Sequence, residues 1–135
     1  MTANDNIKVI QSVYEAFGRG DVRAILEVLN DDVDWASEAA DASGAPWWGV
    51  RRGHDAVGRF FEEFGSTMDV EEFTPLSFTA NDTDVLTVVR MHARSRATGT
   101  LVKMNLHHQF TFRDGKVAYY RGTEDTQQML AALRK

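Results

Sequence analysis

No cysteine occurs among the 135 residues, which excludes disulfides, thiolate metal sites and a cysteine nucleophile. Long apolar runs are missing as well: nothing approaches the roughly 20 residues of a membrane span. The opening stretch, MTANDNIK, lacks the apolar centre of a signal peptide. The chain therefore reads as cytoplasmic, with no membrane partner. There is no basic excess either. Fifteen Lys and Arg stand against twenty Asp and Glu, for a net charge of −5, and the cations are spread along the chain. That distribution excludes the electrostatic footprint of a nucleic-acid binder. Proline is scarce, at Pro46 and Pro75 only.

What remains is ordinary for a globular chain: 43% hydrophobic and 26% charged residues. This length supports one sizeable core, so residues 1–135 are read as a single domain. Ile7, Ile10, Val13, Tyr14 and Phe17 fall at helical spacing, predicting an amphipathic helix over about residues 5–18 that Gly18 and Gly20 end. Asp21 caps a second helix carrying Val22, Ile25, Leu26 and Leu29. Asn30-Asp31-Asp32 reads as a turn and Val33-Asp34-Trp35 as a short strand. Residues 37–53 form a long irregular loop holding Trp47 and Trp48, of which one is expected at a pocket mouth. Val57, Phe60, Phe61 and Phe64 mark a third helix stopped by Gly65. Residues 70–80 contain Pro75 and read as an edge strand. Asp125, with Gln128 three residues on, caps a terminal helix that turns Met129, Leu130 and Leu133 inward.

The stretch from Val85 to Glu124 organises the rest. It alternates apolar and polar residues through three strand-like runs, separated by Thr98-Gly99 and Asp114-Gly115. Helices segregated on one face of a curved antiparallel sheet give an α+β cone, and a cone of this kind encloses a pocket. His108 shares its strand face with Met104, Leu106 and Phe110, so it lies on the apolar side. The placement of Arg90 and His92 hangs on one turn. A two-residue loop at Thr98-Gly99 sets Arg90 opposite His107 and His92 opposite Asn105, away from His108. A three-residue loop flips the parity and brings Arg90, His92 and His108 together. His107 and His108 point to opposite faces and cannot share a metal, so no metal site is expected.

Several stretches in order resemble the NTF2-like superfamily, in its SnoaL-like and ketosteroid-isomerase-like branch. They are Tyr14-Glu-Ala-Phe with Gly20-Asp21, then Asp31-Asp32-Val-Asp-Trp35, then Gly49 to Phe61. The last is Phe110-x-Phe112-x-Asp114-Gly115-Lys116-Val117, leading into Glu124-Asp125-Thr126. The resemblance implies an NTF2-like cone: a curved antiparallel sheet with helices on its concave face around a pocket, and a homodimer through the convex face. In the steroid-isomerase branch, the position of His108 holds a carboxylic acid that donates to an oxyanion, and an imidazole offers the same hydrogen bond. The branch's proton-shuttling aspartate matches Ser37, with Glu38 adjacent. Its oxyanion tyrosine matches Val13, one residue before Tyr14. In the limonene-epoxide-hydrolase-like branch an Arg-x-Asp matches Arg90-x-His92, and a partner aspartate matches Gly122.

The candidate catalytic set is therefore His108, Arg90, His92, Glu38 and Glu124. The candidate pocket wall is Tyr14, Trp35, Trp47, Trp48, Phe61, Met104, Leu106, Phe110 and Tyr120. Two functions fit these residues. One is a cofactor-free acid–base enzyme that isomerises, cyclises or hydrates a small, mostly apolar cyclic molecule. The other is a small-ligand-binding or dimerisation module that lost the catalytic carboxylates.

Overall fold

In the computed structural model, which describes residues 2–134, Thr2 opens the first helix as a reciprocal cap. The Asp5 amide donates to Thr2 Oγ1 at 3.1 Å, and the Thr2 amide donates to Asp5 Oδ2 at 3.0 Å. Helix α1 (Ala3–Gly18) buries Ile10, Val13, Tyr14 and Ala16, which recur on one face. Asp21 caps α2 (Val22–Glu27) through the Ala24 amide. Helix α3 (Gly53–Thr67) runs past Gly65, and α4 (Thr126–Leu133) is capped by Asp125 through the Gln128 amide.

The strands are β1 (Leu29–Ser37), β2 (Arg51–Arg52), β3 (Met68–Ala80), β4 (Asp84–Ser95), β5 (Leu101–Arg113) and β6 (Lys116–Thr123). They form one sheet in the order β2-β1-β6-β5-β4-β3. Strands β3 to β6 make the expected antiparallel meander, with the Pro75 strand at its edge. The sheet as a whole is mixed, because β1 pairs with β6 in parallel. Asn30, Asp31 and Asp32 belong to β1 rather than to a turn. Register shifts in β1, twice in β3 and between β5 and β6 supply the bulges that curve a sheet into a cone. The helices pack on its concave side, and the core runs from Ile10 and Ile25 through Trp35 and Phe110 to Met129. Among the described residues no helix is long and apolar enough to cross a membrane.

The two turns of the meander differ. Asp114-Gly115 is a two-residue hairpin with Arg113 opposite Lys116, and both central residues have positive φ, at 55° and 80°. The other turn has four residues, Arg96 to Gly99, closed by the Ser95 amide on the Thr100 carbonyl at 2.9 Å. Contacts outside the hairpin fix its length. The Arg96 amide donates to Thr67 O, and the Thr98 hydroxyl donates to Ala132 O at 2.6 Å. Four residues preserve the parity of a two-residue loop, with Arg90 now opposite Asn105 and Thr87 opposite His108. Arg90 and His92 consequently face outward.

Candidate functional site

Inside the cone lies a cavity of about 70 Å³, walled by α1, α3, β1, the loop carrying Trp47, and the inner faces of β4 to β6. Its wall is apolar apart from a few groups. Alternation along β5 turns Leu106, His108 and Phe110 inward, and along β6 it does the same for Tyr120 and Gly122. The last lining residue, Glu124, follows the end of β6.

His108 is buried, and its Nδ1 lies 2.8 Å from the Tyr14 hydroxyl, which lies 2.6 Å from Thr87 Oγ1. Burial, with a smaller contribution from the charge of His107, lowers the His108 pKa from 6.5 to about 3. The imidazole is therefore neutral at physiological pH, with one nitrogen donating and the other accepting. If Thr87 donates to Tyr14 and Tyr14 donates to Nδ1, then Nε2 carries the proton toward the cavity. Reversing both hydrogen bonds makes Nε2 an acceptor. Burial also pushes the Tyr14 hydroxyl far up, opposed by its hydrogen bond with Thr87, so it remains a neutral link in this chain.

Glu124 is the second titratable group. Trp47 Nε1 donates to its Oε1 at 3.2 Å, while Oε2 is buried without a partner. Burial raises its pKa, and the Trp47 and Trp48 indoles beside the carboxyl only partly oppose that. Tyr120 stacks on Trp35 with ring centroids 3.9 Å apart. Its hydroxyl fills the space over Gly122: a Cβ there would collide with that oxygen and sit 3.2 Å from His108 Cδ2. The glycine thus admits the hydroxyl beside the imidazole edge.

The structure divides the sequence candidates. Tyr14, Trp35, Trp47, Phe61, Leu106, Phe110, Tyr120, His108 and Glu124 meet at the cavity. Met104 is buried on the same strand face but does not reach it. Trp48 does not line it either. Both tryptophans of the loop are buried, at 1% and 4% exposure, because they pack edge to face on each other and Trp48 lies against Gly44. Trp47 nonetheless lines the cavity, as expected of one of the pair. Arg90 and His92 are corrected out of the constellation: on the outer face they lie 3.6 and 3.4 Å from Glu72. Glu38 lies outside the cavity, 55% exposed and 3.7 Å from Arg121.

Other residues take up the missing roles. Phe17, Phe61, Phe64 and Phe73, all partly buried, separate the cavity from an outer cleft between α1, α3 and β3. They form an apolar partition between the two. Thr87 completes the hydrogen-bond chain. It was findable in sequence, since Val85, Thr87, Val89 and Met91 alternate onto one face. Phe73 was less accessible to inspection, because the shift between Val70 and Glu72 breaks the alternation before it. Among the described residues no group of three or more His, Asp or Glu is placed to hold a metal ion.

The SnoaL-like domain matches residues 10–120, most of the chain and every wall of the cavity except Gly122, Thr123 and Glu124. The chain belongs to the SnoaL-like domain family. No curated protein matches it. Among solved structures, this SnoaL-like domain is similar to an NTF2-like protein of Burkholderia xenovorans, at 24% identity over 99% of each chain with a TM-score of 0.87. It is also similar to TerC, co-crystallised with polyporic acid, at 22% identity over 97% of this chain and 99% of that one, with a TM-score of 0.84. An LEH-like epoxide hydrolase of M. tuberculosis shares 16% identity over 97% and 90% of the two chains, with a TM-score of 0.74. At these identities the likeness establishes the fold of the SnoaL-like domain, an NTF2-like cone.

Proposed function

We propose that this SnoaL-like domain is a small-molecule enzyme working by cofactor-free acid–base chemistry on a mostly apolar cyclic substrate. One observation carries the reading: the buried His108 and the half-buried Glu124, whose Oε2 is buried, stand on the wall of a largely apolar cavity, and neither has an ion-pair partner among the described residues. A cavity serving only as packing would leave such positions to aliphatic side chains, since burying an ionisable group is costly. In this mechanism His108, in the tautomer in which Thr87 donates to Tyr14 and Tyr14 to Nδ1, uses its Nε2–H to donate to a substrate carbonyl or epoxide oxygen as charge develops there. The Glu124 carboxylate takes a proton from a neighbouring carbon and returns it at another, which is isomerisation, or takes it from water, which is hydration. Arg90, His92 and Glu38 have no part in it.

The test is turnover against a panel of cyclic enones, lactones and epoxides, first chosen by thermal shift and by native mass spectrometry for a co-purified ligand. General acid–base residues contribute about 10²- to 10⁴-fold, so His108→Ala and Glu124→Gln each lower kcat/KM by at least about 100-fold on an accepted substrate. Unchanged turnover in His108→Ala ends the proposal.

A second reading, a ligand-binding module without chemistry, has its own support. The cavity of about 70 Å³ is well below the roughly 300–1,000 Å³ of drug-sized sites. Ser37 and Gly122, not carboxylates, also occupy two of its wall positions. TerC, of the same fold, was co-crystallised with polyporic acid, so an organic ligand is compatible with this architecture. Binding of a panel member with no conversion would favour this reading. We assign the convex sheet face, with half-exposed Leu86 and the outward Arg90 and His92, to a homodimer; sedimentation equilibrium checks it.

A further inference from the structure

The closed cavity is small for a ring-bearing molecule, and the partition beside it marks where a larger one extends. An apolar cavity of about 150 Å³ is what admits benzene, whereas this one holds about 70 Å³. Beyond the partition the outer cleft offers about 450 Å³, and Phe17, Phe61, Phe64 and Phe73 line both spaces. All four residues remain partly exposed, an apolar surface that water covers at a cost. The charged groups of the cleft are already engaged. Glu71 pairs with Arg94 at 3.1 Å, and Glu72 lies 3.6 Å from Arg90 and 3.4 Å from His92. Arg96 Nε donates to Gly65 O at 2.9 Å. What the cleft presents to an occupant is therefore chiefly hydrocarbon, the four rings together with Val22 and Val70.

One member of the partition is less firmly held than the rest. Phe73 lies on the edge strand between two register shifts, where the ladder is locally interrupted, while Phe17, Phe61 and Phe64 are carried on helices. We infer that cavity and cleft form a single site for a bipartite molecule: a small oxygen-bearing ring in the cavity, and an uncharged alkyl tail that displaces Phe73 and lies in the cleft. The inference rests on the reading of the cavity as a ligand site, and it adds the tail and the place that receives it.

Isothermal titration with cyclopent-2-enone and its 2-methyl, 2-propyl and 2-pentyl homologues tests this. From methyl to pentyl, affinity rises about fourfold with each added methylene, as burial of that group in an apolar cleft requires. Val22→Trp and Val70→Trp fill the cleft at positions that do not line the cavity, and each brings the pentyl homologue down to the level of the methyl one. Leu106→Trp, which fills the cavity, weakens every homologue together. Affinity that is flat or falls with length overturns the inference, as does a length dependence that survives both cleft variants. So does a pentyl homologue bound undiminished by Leu106→Trp, or no binding of any homologue. Conversion is followed separately through the enone absorbance. Length-dependent affinity without conversion leaves the bipartite site standing and removes the catalytic proposal, whereas conversion with no effect of tail length does the reverse.

Discussion

Tyr14 touches both Thr87 and His108 through one oxygen, so removing that oxygen strands two buried groups at once. Tyr14→Phe is expected to cost about 1–3 kcal/mol in urea denaturation, and Thr87→Val less, because Tyr14 then keeps His108. His108 and Glu124 act in opposite directions on pH. The His108 pKa is lowered in the fold, so its contribution to stability is complete above 6.5 and is lost as pH falls toward about 3. Glu124 is raised, so its contribution is complete below its ordinary 4.5 and is lost as pH rises through the higher folded value. Each proton is worth about 1.4 kcal/mol per pH unit within its window. Denaturation midpoints of His108→Gln and Glu124→Gln across pH 4 to 8 separate the two: the first loses the acid-side fall, the second the alkaline-side fall. In kinetics, the rate of the proposed enzyme rises with pH through the Glu124 ionisation, and His108 adds no limb near neutrality. At this scale the sequence was informative: strand alternation placed His108, Leu106 and Phe110 inward with no other input. The meaning of Gly122 was hidden, because a missing side chain does not announce which neighbour uses its space.

Among the elements, the hairpins show where local chemistry is enough. Asp114-Gly115 is a two-residue positive-φ turn that its own residues demand. Gly115→Ala is expected to cost about 1 kcal/mol, measured by thermal or urea unfolding, because its φ of 80° suits no side chain. Thr98-Gly99 carried an equally plausible turn signal, yet the loop has four residues because Thr67 and Ala132, far away in sequence, bond to it. No local reading contains those partners, although the outward face of Arg90 and His92 is the one a two-residue loop also gives, with the register shifted by two. Thr98→Val removes the hydroxyl bond that joins this turn to α4. It should lower the urea midpoint by about 1 kcal/mol in equivalent stability while leaving the cavity intact. Gly122→Ala within β6 must displace the Tyr120 hydroxyl or bend the strand, with an expected loss of about 1–3 kcal/mol.

For the whole molecule, the ordered spacing of helices and strands was sufficient to anticipate a cone, since segregated amphipathic helices leave a curved sheet few other ways to be covered. The parallel β1–β6 pairing was not legible. It joins residues far apart in sequence, and alternation gives no strand order. The partition between the cavity and the outer cleft was missed for a similar reason. Phe17, Phe61, Phe64 and Phe73 come from three separated segments and only the closed fold makes them neighbours. Phe73→Ala, at the edge strand, should breach that partition and speed ligand dissociation several-fold with little change in the hydrogen-bonding pattern. Stopped-flow measurement against an accepted ligand checks this.

The chain's three tryptophans are Trp35, Trp47 and Trp48. The first two line the cavity and the third abuts the second. Every indole is thus within or beside the chamber, and none reports from the outer surface. Light absorbed at 295 nm is therefore emitted almost wholly from the site itself. An unlabelled sample carries its own optical gauge of occupancy, and filling the chamber, or ionising the carboxyl that Trp47 contacts, registers as a change in emission with no added dye.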